Sequence, residues 1–163
     1  MSLVGKKQIV RTAEVGASID AVWEVISDAR LLPQWVPAVD AVTSCSADGE
    51  HVGASRTCSA NLAGTSGTMV ERCVEYTPTS RVAYVVDDET FGLLNMFENY
   101  GFSLNLSRLD NQQTLVTLET HYDPKNLVYA TMNKAMMRRR FGTVCNDIVS
   151  GLKSFAEARV SNP

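Results

Sequence analysis

The chain has 163 residues, 45% of them hydrophobic and 20% charged, which suits a globular protein with room for a sizeable core. A net charge of −3 lacks the basic excess that phosphate backbones require, so a nucleic-acid partner is not expected. No apolar run is long enough to span a membrane and no apolar leader opens the chain, so a cytoplasmic protein is expected.

Gln8 to Val15 alternates weakly and reads as a first strand. Ser18 offers an N-cap oxygen to a short helix, in which Ile19, Val22, Trp23 and Ile26 share one buried face. Asp28-Ala29-Arg30 ends this helix. Leu31 to Trp35 is a second short turn, because Pro33 and Pro37 forbid a long continuation. Val39 to Cys45 is the second strand, closed by an Asp48-Gly49 turn. Val52 to Leu62 is the third, rich in Ser, Thr and Ala. Gly64 to Gly67 turns into the fourth strand, Thr68 to Tyr76. Thr77-Pro78-Thr79-Ser80 leads to the fifth, Arg81 to Asp87.

Asp88 to Met96 reads as a loop, and its Leu93, Leu94 and Met96 are unusually apolar for one. Phe97 to Leu109 is the sixth strand, with Tyr100, Phe102, Leu104 and Leu106 on one face. Thr114 to Tyr122 is the seventh, with Val116, Leu118, Thr120 and Tyr122 on one face. Pro124 to about Ala158 reads as one long helix. Phe141, Val144, Cys145, Ile148, Leu152 and Phe155 form its apolar stripe. Traced back, the stripe becomes Met137, Lys134, Ala130 and Leu127, flanked by Thr131 and Arg138. Either this half borders a cavity or it is simply less buried.

Consecutive strands joined by short turns pair antiparallel, and helices confined to one face of such a sheet define the α+β class. With no repeat or linker, residues 1–163 read as one domain.

Several stretches carry a family likeness. Ile19-Asp20-Ala21-Val22-Trp23-Glu24-Val25-Ile26-Ser27-Asp28 and Leu32-Pro33-Gln34-Trp35-Val36-Pro37 resemble the opening helix and the following Trp-Pro segment of START-like (SRPBCC) proteins. Val52-Gly53-Ala54-Ser55-Arg56, Glu71-Arg72-Cys73-Val74-Glu75-Tyr76 and Arg81-Val82-Ala83-Tyr84 resemble strands of the polyketide cyclase/dehydrase branch. The resemblance implies a helix-grip fold, in which a curved antiparallel sheet wraps the long C-terminal helix around a deep apolar cavity. It implies binding of a small hydrophobic molecule such as a lipid, a polyketide or an aromatic compound. In some members it implies cyclisation or dehydration of a polyketide.

Three charges share parity with apolar neighbours: Arg56, Arg72 and Glu98. A buried unpaired charge is costly, so each is flipped out, paired, or set against a wet cavity. For Arg56 and Arg72 a bulge or strand-end exposure is the expectation. Trp35 and the loop residues Leu93, Leu94 and Met96 are placed at the mouth of a pocket. Its wall is assigned to Glu98, Tyr100, Phe102, Tyr122, Leu127, Ala130, Thr131, Lys134, Met137 and Arg138. Core packing is the alternative for the aromatic and Met residues. Tyr129 is a further candidate hydroxyl. One of Arg138, Arg139 and Arg140 must turn inward.

His51 and His121 stand far apart and are expected at the surface. Cys45, Cys58, Cys73 and Cys145 form no C-x-x-C pair and read as free, buried thiols. No metal, nucleotide or other cofactor is expected. Two functions fit: a carrier or sensor of a small apolar molecule, or a cyclase/dehydratase using the same cavity. For the second, Glu98 with Lys134 is the one acid–base pair available. The expected partner is the ligand itself, and the chain is read as a monomer or homodimer.

Overall fold

The computed structural model describes residues 2–162. Its seven strands are β1 (Lys7–Val15), β2 (Val39–Cys45), β3 (Ser55–Leu62), β4 (Thr65–Thr77), β5 (Arg81–Glu89), β6 (Phe97–Asp110) and β7 (Gln113–Pro124). They form one sheet in the order β1-β7-β6-β5-β4-β3-β2, antiparallel throughout. From β2 to β7 each strand pairs with the next, as short turns dictate, and β1 closes on β7. The helices are α1 (Ile19–Ile26), α2 (Leu32–Trp35), α3 (Leu93–Met96), α4 (Leu127–Met132) and α5 (Arg138–Ser161), and a π-helical turn, Asn133–Met137, joins α4 to α5. This is the helix-grip arrangement, and no helix among the described residues is long and apolar enough to cross a membrane.

Local chemistry sets the element ends. Ser18 caps α1 by accepting from the Ala21 N–H. Pro124 does not start the long helix: it ends β7, opposite Phe97. Asn126 is the N-cap, and its side chain accepts from the Tyr129 N–H at 3.0 Å. The helix continues past Ala158 to Ser161. Strand β3 begins at Ser55, because Gly53 takes a φ of +95°. Ala63 (φ 51°) and Gly64 (φ +88°) make a tight two-residue turn, so β4 starts at Thr65, inside the expected turn. Strand β5 runs on to Glu89, whose carboxylate accepts from the Phe91 and Leu94 N–H groups at 2.6 and 2.8 Å and shapes α3 out of the expected loop.

Helix α5 buries Gly142, Cys145, Val149, Leu152 and Ala156, and packs mainly on β1. This row lies beside the expected stripe. Cys145 and Leu152 belong to both, while Phe141, Val144, Ile148 and Phe155 are only half-buried. The loss of aliphatic character before Phe141 marks the helix leaving the sheet. Leu127 is 83% exposed, and Thr131, Lys134 and Arg138 are exposed as well.

Three register shifts decide which charges face the helix. In β6 a bulge between Glu98 and Gly101, with Asn99 at φ 54°, keeps Phe97 buried and Tyr100 half-buried but leaves Glu98 in solvent. Between β4 and β5 the extra residue is Val74 on β4 at the Cys73/Glu75 shift, which turns Glu71 and Cys73 inward, and Asp87 on β5 at the Val70/Glu71 shift. Arg72 then points outward and pairs with Asp87 at 2.7 Å, the expected outcome for that residue. Arg56 does not follow the expectation: it stays on the inner face and is 4% exposed.

A glycine fixes the approach of α5 to α2. A Cβ added at Gly151 would lie 2.1 Å from the Trp35 carbonyl oxygen and 3.2 Å from its carbon, both backbone atoms. Gly151→Ala is therefore expected to destabilise by about 1–3 kcal/mol, the usual cost of overpacking. Urea denaturation checks this; a wild-type midpoint would mean that the helix does not rest on Trp35.

Candidate functional site

Between the concave sheet face and α5 lies a cavity of about 410 Å³. That is within the range of about 300–1,000 Å³ usual for small-molecule sites. The space arises from residue size. On β3 the inward residues are Arg56, Cys58, Ala60 and Leu62, and Cys58 and Ala60 are too small to reach the helix. Opposite them stand Met137, Phe141, Val144, Cys145 and Ile148. Accessible cavity surface thus explains why Phe141, Val144 and Ile148 of the expected stripe are only half-buried. Trp35, Tyr100, Phe102 and Leu104 complete the wall. Ala63, Thr65 and Arg140 line the cavity yet are exposed, so they mark its rim.

One charged cluster lies in this apolar wall. Arg56 and Glu71 are direct cross-strand partners on β3 and β4, and Arg56 Nε donates to Glu71 Oε2 at 2.7 Å. Arg56 also stands 3.6 Å from Glu50 Oε1 and lies 3.9 Å over the Tyr84 ring. The Tyr84 hydroxyl donates to the other Glu50 oxygen at 2.9 Å. Burial works against the Arg56 charge, but Glu71 first, then Tyr84 and Glu50, outweigh it and hold its pKa above the ordinary value. Burial likewise raises the Tyr84 hydroxyl. The buried cation of the cavity wall, Arg56, is therefore paired with carboxylates on two sides. Two polar atoms of the lining do not: Trp35 Nε1 and Thr120 Oγ1 are buried without a partner among the described residues.

Of the residues assigned from sequence, Trp35, Leu93, Met96, Tyr100, Phe102 and Met137 line this cavity. Leu94, Glu98, Tyr122, Leu127, Ala130, Thr131, Lys134 and Arg138 do not. Glu98 and Lys134 are both exposed and outside it, so they form no acid–base pair there. Tyr122 is fully buried, stacks on Tyr100 at 5.3 Å and donates to Asn133 Oδ1 at 2.9 Å. Its hydroxyl is pushed up to about 12 by burial. Among the three arginines, Arg140 is the one that reaches the lining. Tyr129 is half-exposed and not part of it.

Glu71, Glu50 and Tyr84 were not legible in the sequence. Parity counted back from Tyr76 placed Glu71 outside, and the extra residue Val74, at the shift between Cys73 and Glu75, turns it in. Glu50 comes from the β2–β3 connection, far from its partners in the chain. The one usable signal was Arg56 itself, a cation on an apolar face in need of an anion.

Other expectations are adjusted in detail. Cys45 is exposed, whereas Cys58, Cys73 and Cys145 are buried, and all four are free. Burial pushes the Cys58 thiol up to about 12 and Cys145 up to about 11, so neither cavity thiol is poised as a nucleophile. His51 is exposed. His121 is half-buried beneath the N-terminal segment, its Nδ1 3.1 Å from the Gly5 carbonyl oxygen. No group of three His, Cys, Asp or Glu among the described residues could hold a metal ion.

The buried pair has a measurable weight. Glu71→Leu removes the Nε partner of Arg56, leaving it Glu50 at 3.6 Å and the Tyr84 ring, and is expected to cost up to about 3–5 kcal/mol. Glu71→Gln keeps an oxygen acceptor for Nε and should cost less. Urea midpoints should fall in the order wild type, Gln, Leu; equal midpoints would mean that the pair carries no structural load.

Comparison with known proteins agrees with this geometry. No curated protein matches the chain. Among solved structures, a START superfamily protein from Mycobacterium smegmatis aligns with a TM-score of 0.74 at 17% identity, covering 94% of this chain and 99% of that one. The ZhuI aromatase/cyclase from Streptomyces sp. R1128 aligns at 0.73 and 20% identity, covering 93% and 94%. A norcoclaurine synthase from Thalictrum flavum, solved with a transition-state analogue, aligns at 0.74 and 16% identity, covering 98% of each chain. At such identities the likeness is one of fold. The family model described as polyketide cyclase/dehydrase and lipid transport matches residues 6–157, and the chain belongs to that family.

Proposed function

We propose that this protein binds a small, largely apolar molecule in the space between the concave sheet face and α5. The observation that carries the reading is a cavity of about 410 Å³ with a mostly apolar wall, whose buried cation Arg56 is already paired with Glu71 and Glu50. Arg56, already paired, asks no charge of the ligand, and Arg140, the other cation of the lining, stands at the exposed rim. Such a wall favours an elongated or aromatic hydrocarbon body bearing few polar atoms. The solved relatives with small-molecule activities support the reading by fold alone.

A second reading, polyketide cyclase/dehydratase chemistry, rests on one feature. Arg56 and Glu71 place a cationic donor and a carboxylate 2.7 Å apart on the wall. Arg56 would polarise a ligand carbonyl, and Glu71 would accept a proton from the adjacent carbon. The carrier reading ranks first because Glu71 and Glu50 already occupy the guanidinium. A poly-β-keto thioester incubated with the protein separates the two: a new ring in the product favours the enzyme, and unchanged recovery favours the carrier.

Filling the cavity tests both. Ile148 faces the space from α5, and Ile148→Trp should occupy it. An apolar dye such as Nile red is expected to bind the wild type saturably, and at least about tenfold more weakly to Ile148→Trp, a loss of about 1.4 kcal/mol. Extraction and mass spectrometry of the purified wild type should return a bound apolar compound. Saturable binding that is unchanged in a folded Ile148→Trp variant would remove the cavity from both readings.

A further inference from the structure

The half of the long helix that leaves the sheet carries an unusual combination of side chains. Residues 124–146 hold five of the chain's 15 Lys and Arg and none of its 18 Asp and Glu, although the chain as a whole is acidic. The five are Lys125, Lys134, Arg138, Arg139 and Arg140, and all are exposed. None forms an ion pair with a carboxylate among the described residues. Between them stand three bare apolar side chains: Leu127 is 83% exposed, Val128 73% and Met136 41%. Elsewhere among the described residues large apolar side chains this exposed are scattered singly, which needs no explanation.

The segment is also held in place. Its buried anchor is the Tyr122 hydroxyl to Asn133 Oδ1 bond, 2.9 Å long, made at the π-helical turn. At its start the Lys125 N–H donates to the Met96 carbonyl at 3.0 Å, which ties it to α3. Met96, Met137 and Arg140 line the cavity, while Leu127, Val128 and Met136 face solvent on the same helical stretch. One rigid element therefore presents aliphatic and cationic side chains outward, next to the cavity rim.

We infer that this face, centred on Leu127, Val128 and Met136 and ringed by the five cations, docks on the surface of an anionic phospholipid bilayer. Charge complementarity points to a polyanionic surface, and the bare aliphatic side chains point to one with an apolar interior within reach. A bilayer accepts shallow insertion of such a shoulder without needing a matched shape. Docking there sets the cavity rim beside the lipid phase. The inference does not depend on which molecule fills the cavity, nor on its being filled.

The test is co-sedimentation with vesicles of phosphatidylcholine alone and of phosphatidylcholine mixed with phosphatidylserine. Wild-type protein is expected to bind the mixed vesicles at low salt at least about tenfold more tightly than the neutral ones, and to lose that binding as salt rises. Leu127→Glu with Val128→Glu, and separately Arg138→Glu with Arg139→Glu, should each weaken binding to mixed vesicles at least about tenfold. None of these four residues lines the cavity, so melting temperature and Nile red binding should be unchanged, which separates failure of docking from failure of the fold or the cavity. Absence of binding to mixed vesicles at low salt overturns the inference, and so does wild-type binding by folded variants. Binding to soluble polyglutamate but not to the mixed vesicles overturns it in favour of an acidic protein partner.

Discussion

A seven-stranded antiparallel sheet is too wide for one helix to cover, and most of this molecule follows from that constraint. Strands spaced by about 4.8 Å make six gaps of roughly 29 Å in all. A helix with its side chains is about 10–12 Å across. Helix α5 therefore packs tightly on one side of the sheet, against β1, with Cys145, Val149, Leu152 and Ala156 buried there. Helices α1 and α2 close the region beside it, held close by Gly151 under the Trp35 carbonyl. What lies over β3, β4 and β5 is covered by side chains alone. Where those are Cys58 and Ala60, volume is left over.

The same place holds the largest electrostatic demand in the molecule. Arg56 cannot stay charged in an apolar wall without partners, and it draws them from three separate parts of the chain: Glu71 across the ladder, Glu50 from the β2–β3 connection, and the Tyr84 ring from β5. The cluster ties the β2–β3 connection to the floor of the sheet, and it keeps one end of the cavity polar, with Arg56 held between two carboxylates. Any molecule that binds here meets a mostly apolar wall and a corner whose hydrogen bonds are largely spoken for. This shapes the choice between carrying and catalysing more than cavity size does.

The long helix divides its work along its length. Its C-terminal part is a packing element, its middle a cavity wall, and its N-terminal part a solvent-facing shoulder rich in cations. The π-helical turn at Asn133–Met137 lies at the last of these boundaries, where one extra residue per turn lets Asn133 stay buried against Tyr122 while Met137 reaches the cavity.

Sequence patterning alone determined the α+β class, the strand order along the chain and the antiparallel pairing. Each rests on local chemistry: period-two alternation in Thr114 to Tyr122, a Ser18 cap, hairpin-length turns and a long apolar stripe. With the family resemblance, which implies a cavity between sheet and helix, it also placed Tyr100 and Phe102 on the sheet, Trp35 between its prolines and Met137 on the long helix around one pocket. The location of the cavity along the helix, the outward turn of Glu98 and the inward turn of Glu71 were decided by tertiary structure. The physical reason is parity. A single bulged residue reverses the facing of everything beyond it, and whether a bulge forms depends on the partner strand and on the helix above, which no local pattern records. The fading stripe before Phe141 was visible in the sequence, but a helix that borders a cavity and a helix that leaves the sheet lose aliphatic residues in the same way. Only the position of the sheet edge beneath it separates the two.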